Sequence, residues 1–510
     1  MTPIMREFVN SALVRAGIVF PRSSTCACST KTTVINAPEN QWQGNAISSK
    51  PQGQPTSKTH PHLLKDGELI PGITVGEFQE RRHRLMNNVY KHASRHNMKS
   101  HHLVIIPSAT KVYMTEKIPY VFRQNSDFLY LSGCLQPDSA LVLSGHDDSF
   151  SSTLFLRKPD AHAELWDGPS TDLREAPCIF GVDQALPVGE MKSFLNSFAH
   201  TNRGFTLWYD FMQPIQPEIH RTLRDFLAET WNKMWESPKP LVHKMRLYKS
   251  PAEIGLMKAS CDIASNAISK TIQYSHDGIT EHQLFACVDY ECRVRGAQHL
   301  AYPPVVAGGS RANIIHYINN NQVVHSGQMV LMDAGCELHG YCSDITRTWP
   351  VCGQFSSTQR ALYDVVLLVQ TELLAILEKG FPSLDDLFHN MCILLGKYLQ
   401  ELGVLSSKLG NNELLKAAYS FCPHHVSHYL GMDVHDTALI PRSIKLEPGM
   451  VITVEPGVYV NTNNKLAAPE FVGMGIRIED DILITNNGPV LLTAGCPKQV
   501  ADIERLCLKV

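Results

Sequence analysis

Residues 327–344 read Gly-Gln-Met-Val-Leu-Met-Asp-Ala-Gly-Cys-Glu-Leu-His-Gly-Tyr-Cys-Ser-Asp. The apolar run Val330–Met332 leads straight into Asp333, as expected of a buried strand that ends in an acid. If Glu337–Gly340 forms a four-residue hairpin loop, Asp333 lies directly opposite Asp344, with β-carbons about 4.5–5.5 Å apart. Like charges in that position are destabilising unless a cation neutralises them, so the pattern indicates a divalent metal site. The alternative is a pair of exposed acids in a turn.

A second stretch of the chain resembles the first. Residues 449–457 read Gly-Met-Val-Ile-Thr-Val-Glu-Pro-Gly. Like residues 327–335, they give Gly, five mostly apolar residues, a carboxylate, one further residue and Gly. Two similar strands that end in Asp333 and Glu455 predict a duplicated half-domain with its site on the pseudo-symmetry axis. A chance likeness over nine residues is the alternative.

Histidines are concentrated in residues 423–435, which read Pro-His-His-Val-Ser-His-Tyr-Leu-Gly-Met-Asp-Val-His. His424 and His428 are four residues apart, so they share one face of either a helix or a strand. His435 ends the stretch. Because imidazole is the commonest metal ligand and the commonest acid–base group near neutral pH, the cluster indicates a functional site.

A last polar pair lies in residues 475–485, which read Gly-Ile-Arg-Ile-Glu-Asp-Asp-Ile-Leu-Ile-Thr. The alternation places Arg477 and Glu479 on one face of a strand, with Ile476 and Ile478 on the other. A surface ion pair would explain Arg477, but an acid between two apolar neighbours is harder to explain in that way.

These stretches together predict four buried carboxylates and a histidine. Buried carboxylates without counter-charge are prohibitively unstable, whereas two divalent cations would balance them. The predicted ligand set is rich in oxygen and contains no thiolate, which favours manganese, cobalt or iron over structural zinc.

The same residues resemble those of the pita-bread metallopeptidases, the family of methionine aminopeptidase, prolidase and aminopeptidase P. The family's ligand order of Asp, Asp, His, Glu, Glu is complete in this chain. The resemblance implies that Asp333 binds one metal, that Asp344 and Glu479 bridge the two metals, and that His428 and Glu455 bind the other. It also implies an α+β pita-bread catalytic domain built of two pseudo-symmetric halves.

Within that family the chain is similar to the aminopeptidase P branch. Residues 122–133 (Phe-Arg-Gln-Asn-Ser-Asp-Phe-Leu-Tyr-Leu-Ser-Gly) and 164–169 (Glu-Leu-Trp-Asp-Gly-Pro) resemble its N-terminal domain. The expected fold is therefore an α/β creatinase/aminopeptidase P N-terminal domain followed by the pita-bread domain. The expected activity is removal of the N-terminal residue from peptides that carry proline at the second position.

The resemblance extends to the substrate pocket. His424 and His435 match family histidines that line the pocket and stabilise the developing charge. His316 matches a third pocket histidine, and Tyr302 matches a position that contacts substrate. Arg477 matches an arginine that orients the metal-binding carboxylates.

A mechanism follows as a hypothesis from this resemblance. Two divalent ions, with Mn2+ expected, would hold a bridging hydroxide that attacks the carbonyl before proline. His435 would stabilise the oxyanion, and Glu455 would take a proton and pass it to the proline nitrogen. Asp344 is expected to border the substrate as well as the metals.

Other functions on the same fold remain open at this point. A prolidase-like dipeptidase would cleave only Xaa-Pro dipeptides, and the motifs barely separate it from an aminopeptidase. A catalytically inactive binding module and a creatinase-like amidine hydrolase would both work without metal. The complete ligand set argues against these two.

The length of 510 residues predicts more than one domain. We expect a transit segment and linker over residues 1–55, the N-terminal α/β domain over 65–245 and the pita-bread domain over 250–505. Ser250, Pro251 and Glu253 predict the start of a long helix, since they suit the cap, first and third positions. Helices are predicted near 77–96, 217–235, 251–274, 281–296, 358–379 and 383–402. Strands are predicted near 102–107, 140–143, 153–156, 204–209, 328–333, 342–348, 450–455 and 475–485.

Composition limits the partners. A net charge of −3 provides no general attraction for nucleic acid, and no apolar run is long enough to span a membrane. The fourteen cysteines are scattered, which is typical of reduced core residues. The resemblance implies a homodimer and peptides with penultimate proline as partners.

The N-terminal segment reads as a targeting signal. Residues 1–38 carry four basic residues and one acid, an apolar stripe at helical spacing, and many Ser and Thr residues. A basic, Ser-rich, acid-poor amphipathic start is typical of a mitochondrial transit segment, so the matrix is the expected location. A form without this segment would be cytoplasmic, and a tail without targeting function is the alternative reading. Residues 39–62 read as a polar linker.

Overall fold

A mixed six-stranded sheet organises the N-terminal half of the chain. The computed structural model describes residues 49–146, 149–230 and 234–508. In chain order, the strands of this half are β1 (Glu68–Ile70), β2 (Ile73–Thr74), β3 (His101–Pro107), β4 (Tyr113–Thr115), β5 (Ile118–Pro119), β6 (Ala140–His146), β7 (Ser149–Leu156), β8 (Gln184–Pro187), β9 (Phe205–Trp208) and β10 (Trp235–Glu236).

The large sheet has the strand order β10-β9-β3-β6-β7-β8, and the other four strands form two small hairpins. Strand β3 is antiparallel to β6 and parallel to β9, and its residues from His102 to Pro107 are all buried. Burial on both faces explains why this strand reads as a continuous apolar run. The helices of this half are Val75–Arg95, Ser126–Ser132, Ala161–Asp167, Ala176–Phe180, Met191–Thr201, Pro217–Glu229 and Lys239–Arg246.

Two sequence predictions in this half are wrong. The helix predicted over 217–235 ends at Glu229, where Thr230 turns to an extended conformation, and Trp235 begins edge strand β10. The linker predicted up to residue 62 is packed from about residue 52, since Gln52 and Gln54 are buried. Their side-chain amides bind Glu175 and the Gly133 carbonyl, so polar composition here reflects hydrogen bonding rather than solvation.

The C-terminal half repeats one arrangement twice, with two long helices and a three-stranded antiparallel sheet each time. The first sheet has the order β12-β13-β16, and the second has the order β17-β20-β21. The strands of this half are β11 (His299–Leu300), β12 (Val305–Gly308), β13 (Met329–Ala334), β14 (Cys336–Leu338), β15 (Tyr341–Cys342), β16 (Ile345–Pro350), β17 (Val451–Val454), β18 (Gly457–Tyr459), β19 (Gly475–Arg477), β20 (Asp480–Thr485) and β21 (Gly488–Leu491).

Local sequence signals set the helices of this half. Ser250 and Glu253 form the predicted capping box, and the helix covers Pro251–Tyr274. The buried sides of these helices pack on both sheets and form the larger core cluster. The helices are Pro251–Tyr274, Glu281–Val294, Ser357–Lys379, Leu384–Leu402, Asn411–Phe421 and Val500–Cys507.

The hairpin that carries Asp333 and Asp344 differs from its prediction. Its loop has two residues, His339 and Gly340, both with positive φ, because Leu338 pairs with Tyr341. The register therefore shifts by two residues, and Asp333 pairs with Thr346 instead of Asp344. The two acids are diagonal neighbours on one face rather than directly opposite each other.

The described residues belong to one compact unit, Ile47–Val510. Their cysteines are all free thiols. None of their helices has both the length and the apolar character needed to cross a membrane. The predicted transit segment falls on residues outside the described part of the chain, apart from the short stretch 49–55.

Candidate metal centre

Asp333 and Asp344 meet at the hydroxyl of Tyr302. Tyr302 Oη lies 2.5 Å from Asp333 Oδ1 and 2.5 Å from Asp344 Oδ1. Burial, together with these two carboxylates, holds the pKa of Tyr302 well above its usual value, so the phenol keeps its proton. The diagonal register of the hairpin thus still brings both acids to one point.

Arg477 is the cation that faces this pair. Its Nη2 donates to Asp333 Oδ2 at 2.5 Å, and its Nε donates to Thr346 Oγ1 at 3.0 Å. Thr346 in turn donates to Glu479 Oε2 at 2.6 Å. Strand β16 therefore supplies a hydroxyl that fixes both the arginine and the glutamate, which confirms that Arg477 and Glu479 face the same side.

His428 and Glu455 approach from the other half-domain. His428 Nε2 lies 3.4 Å from Asp344 Oδ2 and 3.6 Å from Glu455 Oε1. Its Nδ1 donates to the Tyr429 carbonyl at 3.1 Å, which leaves Nε2 directed at the carboxylates. Ligand atoms of Asp344, His428 and Glu479 all lie within 4.8 Å of one another.

The histidine segment is neither a helix nor a strand, contrary to both conformations that the spacing suggested. Residues 426–428 run beside β17 as an irregular extended segment. The backbone amides of Thr453 and Glu455 donate to the carbonyls of His428 and Val426. This pairing carries His428 to the acid end of β17.

The electrostatics of the cluster show a shortage of positive charge. Burial raises the pKa of Glu455 to about 7, although His428 and Arg477 oppose the shift. Burial, with Asp344 and Glu455 close by, holds the pKa of Glu479 well above its usual range. Burial also raises the pKa of Asp333 despite Arg477. Carboxylates in this environment favour the charged form only if additional cations are present.

The pKa of His428 also indicates that the cluster has too little positive charge, because it is shifted in favour of the protonated, cationic form. Burial lowers it, but the hydrogen bond to Asp344 and the charge of Glu455 outweigh burial and raise it to about 9. The carboxylate oxygens of Asp344 and Glu455 thus stabilise a positive charge at His428, as they would stabilise a bound metal ion. The donor set of carboxylate oxygens and one imidazole fits two divalent metal ions, and Arg477 alone does not balance it.

His424 is held by a chain of hydrogen bonds. Arg477 Nη1 donates to Tyr459 Oη at 2.7 Å, and Tyr459 Oη lies 2.8 Å from His424 Nε2. His424 Nδ1 lies 2.9 Å from the His425 carbonyl and 3.6 Å from Glu455 Oε2. Burial, with Arg477 nearby, lowers the pKa of His424 to about 4, so this imidazole is neutral at physiological pH.

His435 has a different environment. Its ring packs edge-on against His428, with ring centroids 4.5 Å apart, and the residue is exposed. Its ring nitrogens make no hydrogen bond with any described residue. Burial, with the neighbouring charge of His428, lowers the pKa of His435. His316 is exposed at the rim, close enough to lower the pKa of both His424 and His435.

The structure therefore brings all ten residues singled out from the sequence to one site. It also adds residues that sequence reasoning missed. Thr346 was detectable, because alternation along β16 places it on the face of Asp344. Tyr459 follows Glu455 by four residues in an extended segment, which is a weak signal. Asp481, which accepts a hydrogen bond from the Asp344 amide at 2.9 Å, was detectable by alternation too, because it follows Glu479 by two residues.

Comparison with known proteins defines the class. The sequence model of metallopeptidase family M24 matches residues 255–486. The model of the aminopeptidase P N-terminal domain matches residues 78–208. The chain is thus a two-domain metallopeptidase with the predicted α/β and pita-bread folds, in a family whose members bind divalent metal ions.

Proteins that are similar in sequence and structure indicate which branch of the family the chain belongs to. The chain is 44% identical to Xaa-Pro aminopeptidase 3 of Mus musculus over 470 residues, covering 90% of this chain and 91% of the relative. It is 40% identical to the mitochondrial intermediate cleaving peptidase 55 of Arabidopsis thaliana, covering 89% and 87%. Zinc-substituted Escherichia coli aminopeptidase P in complex with product superposes with a TM-score of 0.79 at 33% identity, covering 86% of this chain and 98% of that one. The chain belongs to the Xaa-Pro aminopeptidase family.

Proposed function

We propose that this chain is a metal-dependent Xaa-Pro aminopeptidase that removes the N-terminal residue before a penultimate proline. One observation carries the proposal. Asp344, His428 and Glu479 converge within 4.8 Å at the contact between the two half-domains, with Asp333 and Glu455 beside them. That cluster lies in the domain matched by the metallopeptidase family M24 model, and the similar proteins include Xaa-Pro aminopeptidase 3.

The five side chains would hold two divalent ions, and Mn2+ is the proposed metal. Asp333 would hold one ion, His428 and Glu455 would hold the other, and Asp344 and Glu479 would be shared by both. When bound, the ions supply an activated water nucleophile and polarise the scissile carbonyl. An oxygen-rich donor set with one imidazole supports manganese over a thiolate-preferring metal.

The protein's own groups position the substrate and move protons. Glu455 lies 3.6 Å from both His428 Nε2 and His424 Nδ1, at the centre of the polar groups, and serves as the acid–base group. His435 has no competing partner among the described residues, so its N–H is available to the developing oxyanion. His424 is committed to Tyr459 and to the His425 carbonyl, and it shapes the pocket wall instead.

The substrate also meets Tyr302 and Asp344 on one side and His316 at the rim. Tyr302 keeps its proton, and its hydroxyl lies 2.5 Å from one oxygen of each aspartate, so it holds the two carboxylates close together. The proline nitrogen is tertiary in the substrate, and protonation by Glu455 lets it leave as an amine.

Location and assembly are proposed on separate grounds. The basic, Ser-rich start and the mitochondrial relative support import into the matrix, and the relatives give no support for the cytoplasmic alternative. A homodimer is supported by the β4–β5 hairpin, whose apolar side chains are unusually exposed. Six apolar residues of the hairpin and the positions that flank it are each more than half exposed: Val112, Tyr113, Met114, Ile118, Tyr120 and Val121.

The test uses the full chain with manganese and three substrates: Leu-Pro-Ala, the dipeptide Gly-Pro, and a Met-Ala peptide. We expect cleavage of Leu-Pro-Ala above all, loss of activity and metal in Asp344→Asn, and no change in the surface control Asp289→Asn. Cleavage of the dipeptide alone would establish the prolidase-like alternative. An Asp344→Asn variant with full activity would refute the site.

A further inference from the structure

The segment Leu430–Thr437 carries His435 but contains no helix or strand. The start of the segment is tied by backbone bonds, since the Leu430 amide donates to the Val451 carbonyl and the Cys342 amide donates to the Gly431 carbonyl. Further along, the Gly431 amide donates to the Asp433 carbonyl and the Asp436 amide to the Tyr429 carbonyl, but His435 makes no backbone hydrogen bond with a described residue. His435 itself is exposed and touches His428 only through its ring. The position of His435 therefore depends on side-chain contacts made by its neighbours.

Two carboxylates flank His435, and one arginine binds both. Arg246 Nη2 donates to Asp433 Oδ2 at 2.7 Å and to Asp436 Oδ1. Lys249 Nζ lies 3.3 Å from the other oxygen of Asp436. The side chains of Arg246 and Asp436 are 3% and 1% exposed, so this charge-assisted contact is shielded from water.

The other end of Arg246 reaches the N-terminal domain. Its Nη1 donates to Asp127 Oδ1 at 2.6 Å, in the first turn of the helix Ser126–Ser132. Ser126 Oγ donates directly to Asp433 Oδ1 at 2.6 Å. Arg123 Nη2 adds a bond to the Met432 carbonyl at 2.7 Å. Residues 123–127 thus hold the segment through side-chain contacts, directly and through Arg246.

We infer that Arg246 is a positioning residue for His435: it holds Asp433 and Asp436 against the first turn of the helix Ser126–Ser132. The N-terminal domain thereby completes the pocket of the catalytic domain. This role rests on the proposed function, in which His435 donates to the developing oxyanion. A displacement of about 1 Å at such a donor costs about 100-fold in rate.

The experiment compares Arg246→Gln with Arg82→Gln. Arg82 is a matched control, because it is also buried and reaches the C-terminal end of the helix Ser126–Ser132 at the Leu131 carbonyl. It donates otherwise only to the carbonyls of Phe180 and Gly181, and not to the segment that carries His435. We expect Arg246→Gln to lower kcat by about 10- to 100-fold, with a smaller change in KM. Arg82→Gln keeps the wild-type kcat even if it lowers the melting temperature.

A double variant separates positioning from general destabilisation. If Arg246 acts through His435, the double variant Arg246→Gln/His435→Ala has the same kcat as His435→Ala alone. Additive losses would overturn the inference. Should Arg246→Gln fail to fold, Ser126→Ala removes a single hydrogen bond to Asp433 and is expected to give a smaller loss of kcat that is likewise absent in the His435→Ala background.

A measurement without substrate keeps the two proposals distinguishable. Hydrogen exchange over residues 430–437 should accelerate in Arg246→Gln and stay unchanged in Arg82→Gln. If the wild type does not cleave Xaa-Pro peptides, the proposed function fails while this exchange result still decides the positioning role. Unchanged exchange in Arg246→Gln would overturn the positioning role.

Discussion

Gly335 lies between the two aspartates of the hairpin, opposite Asp344 in the observed register. A β-carbon at this position would lie 1.8 Å from the Ser343 carbonyl oxygen and 2.7 Å from its carbonyl carbon. Because the obstacle is backbone and not the end of a flexible side chain, rotation cannot relieve it. The substitution Gly335→Ala must therefore push apart the two strands that carry Asp333 and Asp344.

The size of the movement follows from the contact. Ordinary van der Waals contact starts at 3.4 Å, so separating the two atoms from 1.8 to 3.4 Å requires a movement of about 1.6 Å. Metal–ligand distances are fixed to within about 0.2 Å. A shift of about 1 Å in a catalytic site costs about 100-fold, or about 2.7 kcal/mol of transition-state stabilisation. We expect Gly335→Ala to lose at least that much in kcat/KM and to bind less metal.

The assay measures kcat/KM on an Xaa-Pro tripeptide, metal content by elemental analysis, and secondary structure by circular dichroism. Gly255→Ala is the matched control, since Gly255 lies within the helix Pro251–Tyr274 and its added β-carbon meets nothing within 4 Å. That control should gain about 0.5–1 kcal/mol in stability with unchanged activity. A Gly335→Ala enzyme with wild-type kcat/KM and full metal content would refute the reasoning.

Three further predictions test other parts of the molecule. Removal of the metal ions by a chelator should lower the melting temperature by several degrees, because a metal ion present at about 100 times its Kd adds about 2.7 kcal/mol to the free energy of unfolding. A melting temperature that stays constant after metal loss would contradict this prediction. A chain truncated before Lys58 loses the buried contacts of Gln52 and Gln54, so chemical denaturation should show a lower free energy of unfolding than for a chain beginning at residue 49. Burial disfavours the Asp433 carboxylate, but Arg246 outweighs it and lowers the pKa of Asp433 to about 2. The stability that ionised Asp433 contributes is therefore present above its unfolded pKa of about 4 and is lost as the pH falls towards about 2. The difference in unfolding free energy between wild type and Asp433→Asn should shrink from about pH 5 to about pH 3. A difference that stays constant over this range would contradict the assignment.

Proposed metal ligands at the ends of strands were predictable because an apolar run leads into the acid, and burial of that run is a property of the local sequence. Asp333 after Val330–Met332 and Glu455 after Val451–Val454 are the clearest cases. The helix from Pro251 was predictable to the residue, since its capping box is a contact between neighbours.

The parts that failed depend on contacts distant in sequence. The hairpin register is set by a two-residue turn at His339 and Gly340, and a four-residue turn would suit the same composition. The ordered stretch around Gln52 is held by Glu175, which lies 123 residues further along the chain. Arg246 ends an ordinary amphipathic helix, and only the fold shows that it faces Asp433 and Asp436.

The acid-x-Gly repeat links the duplication to the chemistry. In each half, a glycine two residues after the acid allows the backbone of a facing strand to approach closely. At Gly335 the neighbouring backbone atom is the Ser343 carbonyl oxygen, and at Gly457 the Ile476 carbonyl oxygen would lie 3.1 Å from an added β-carbon. The halves then join where the Glu479 amide donates to the Thr346 carbonyl and Arg477 crosses to Asp333. Because neither half holds all the proposed ligands, binding of two ions would require both halves in register. A change confined to one strand, such as Gly335→Ala, should consequently weaken binding of both metals together and not leave one site loaded.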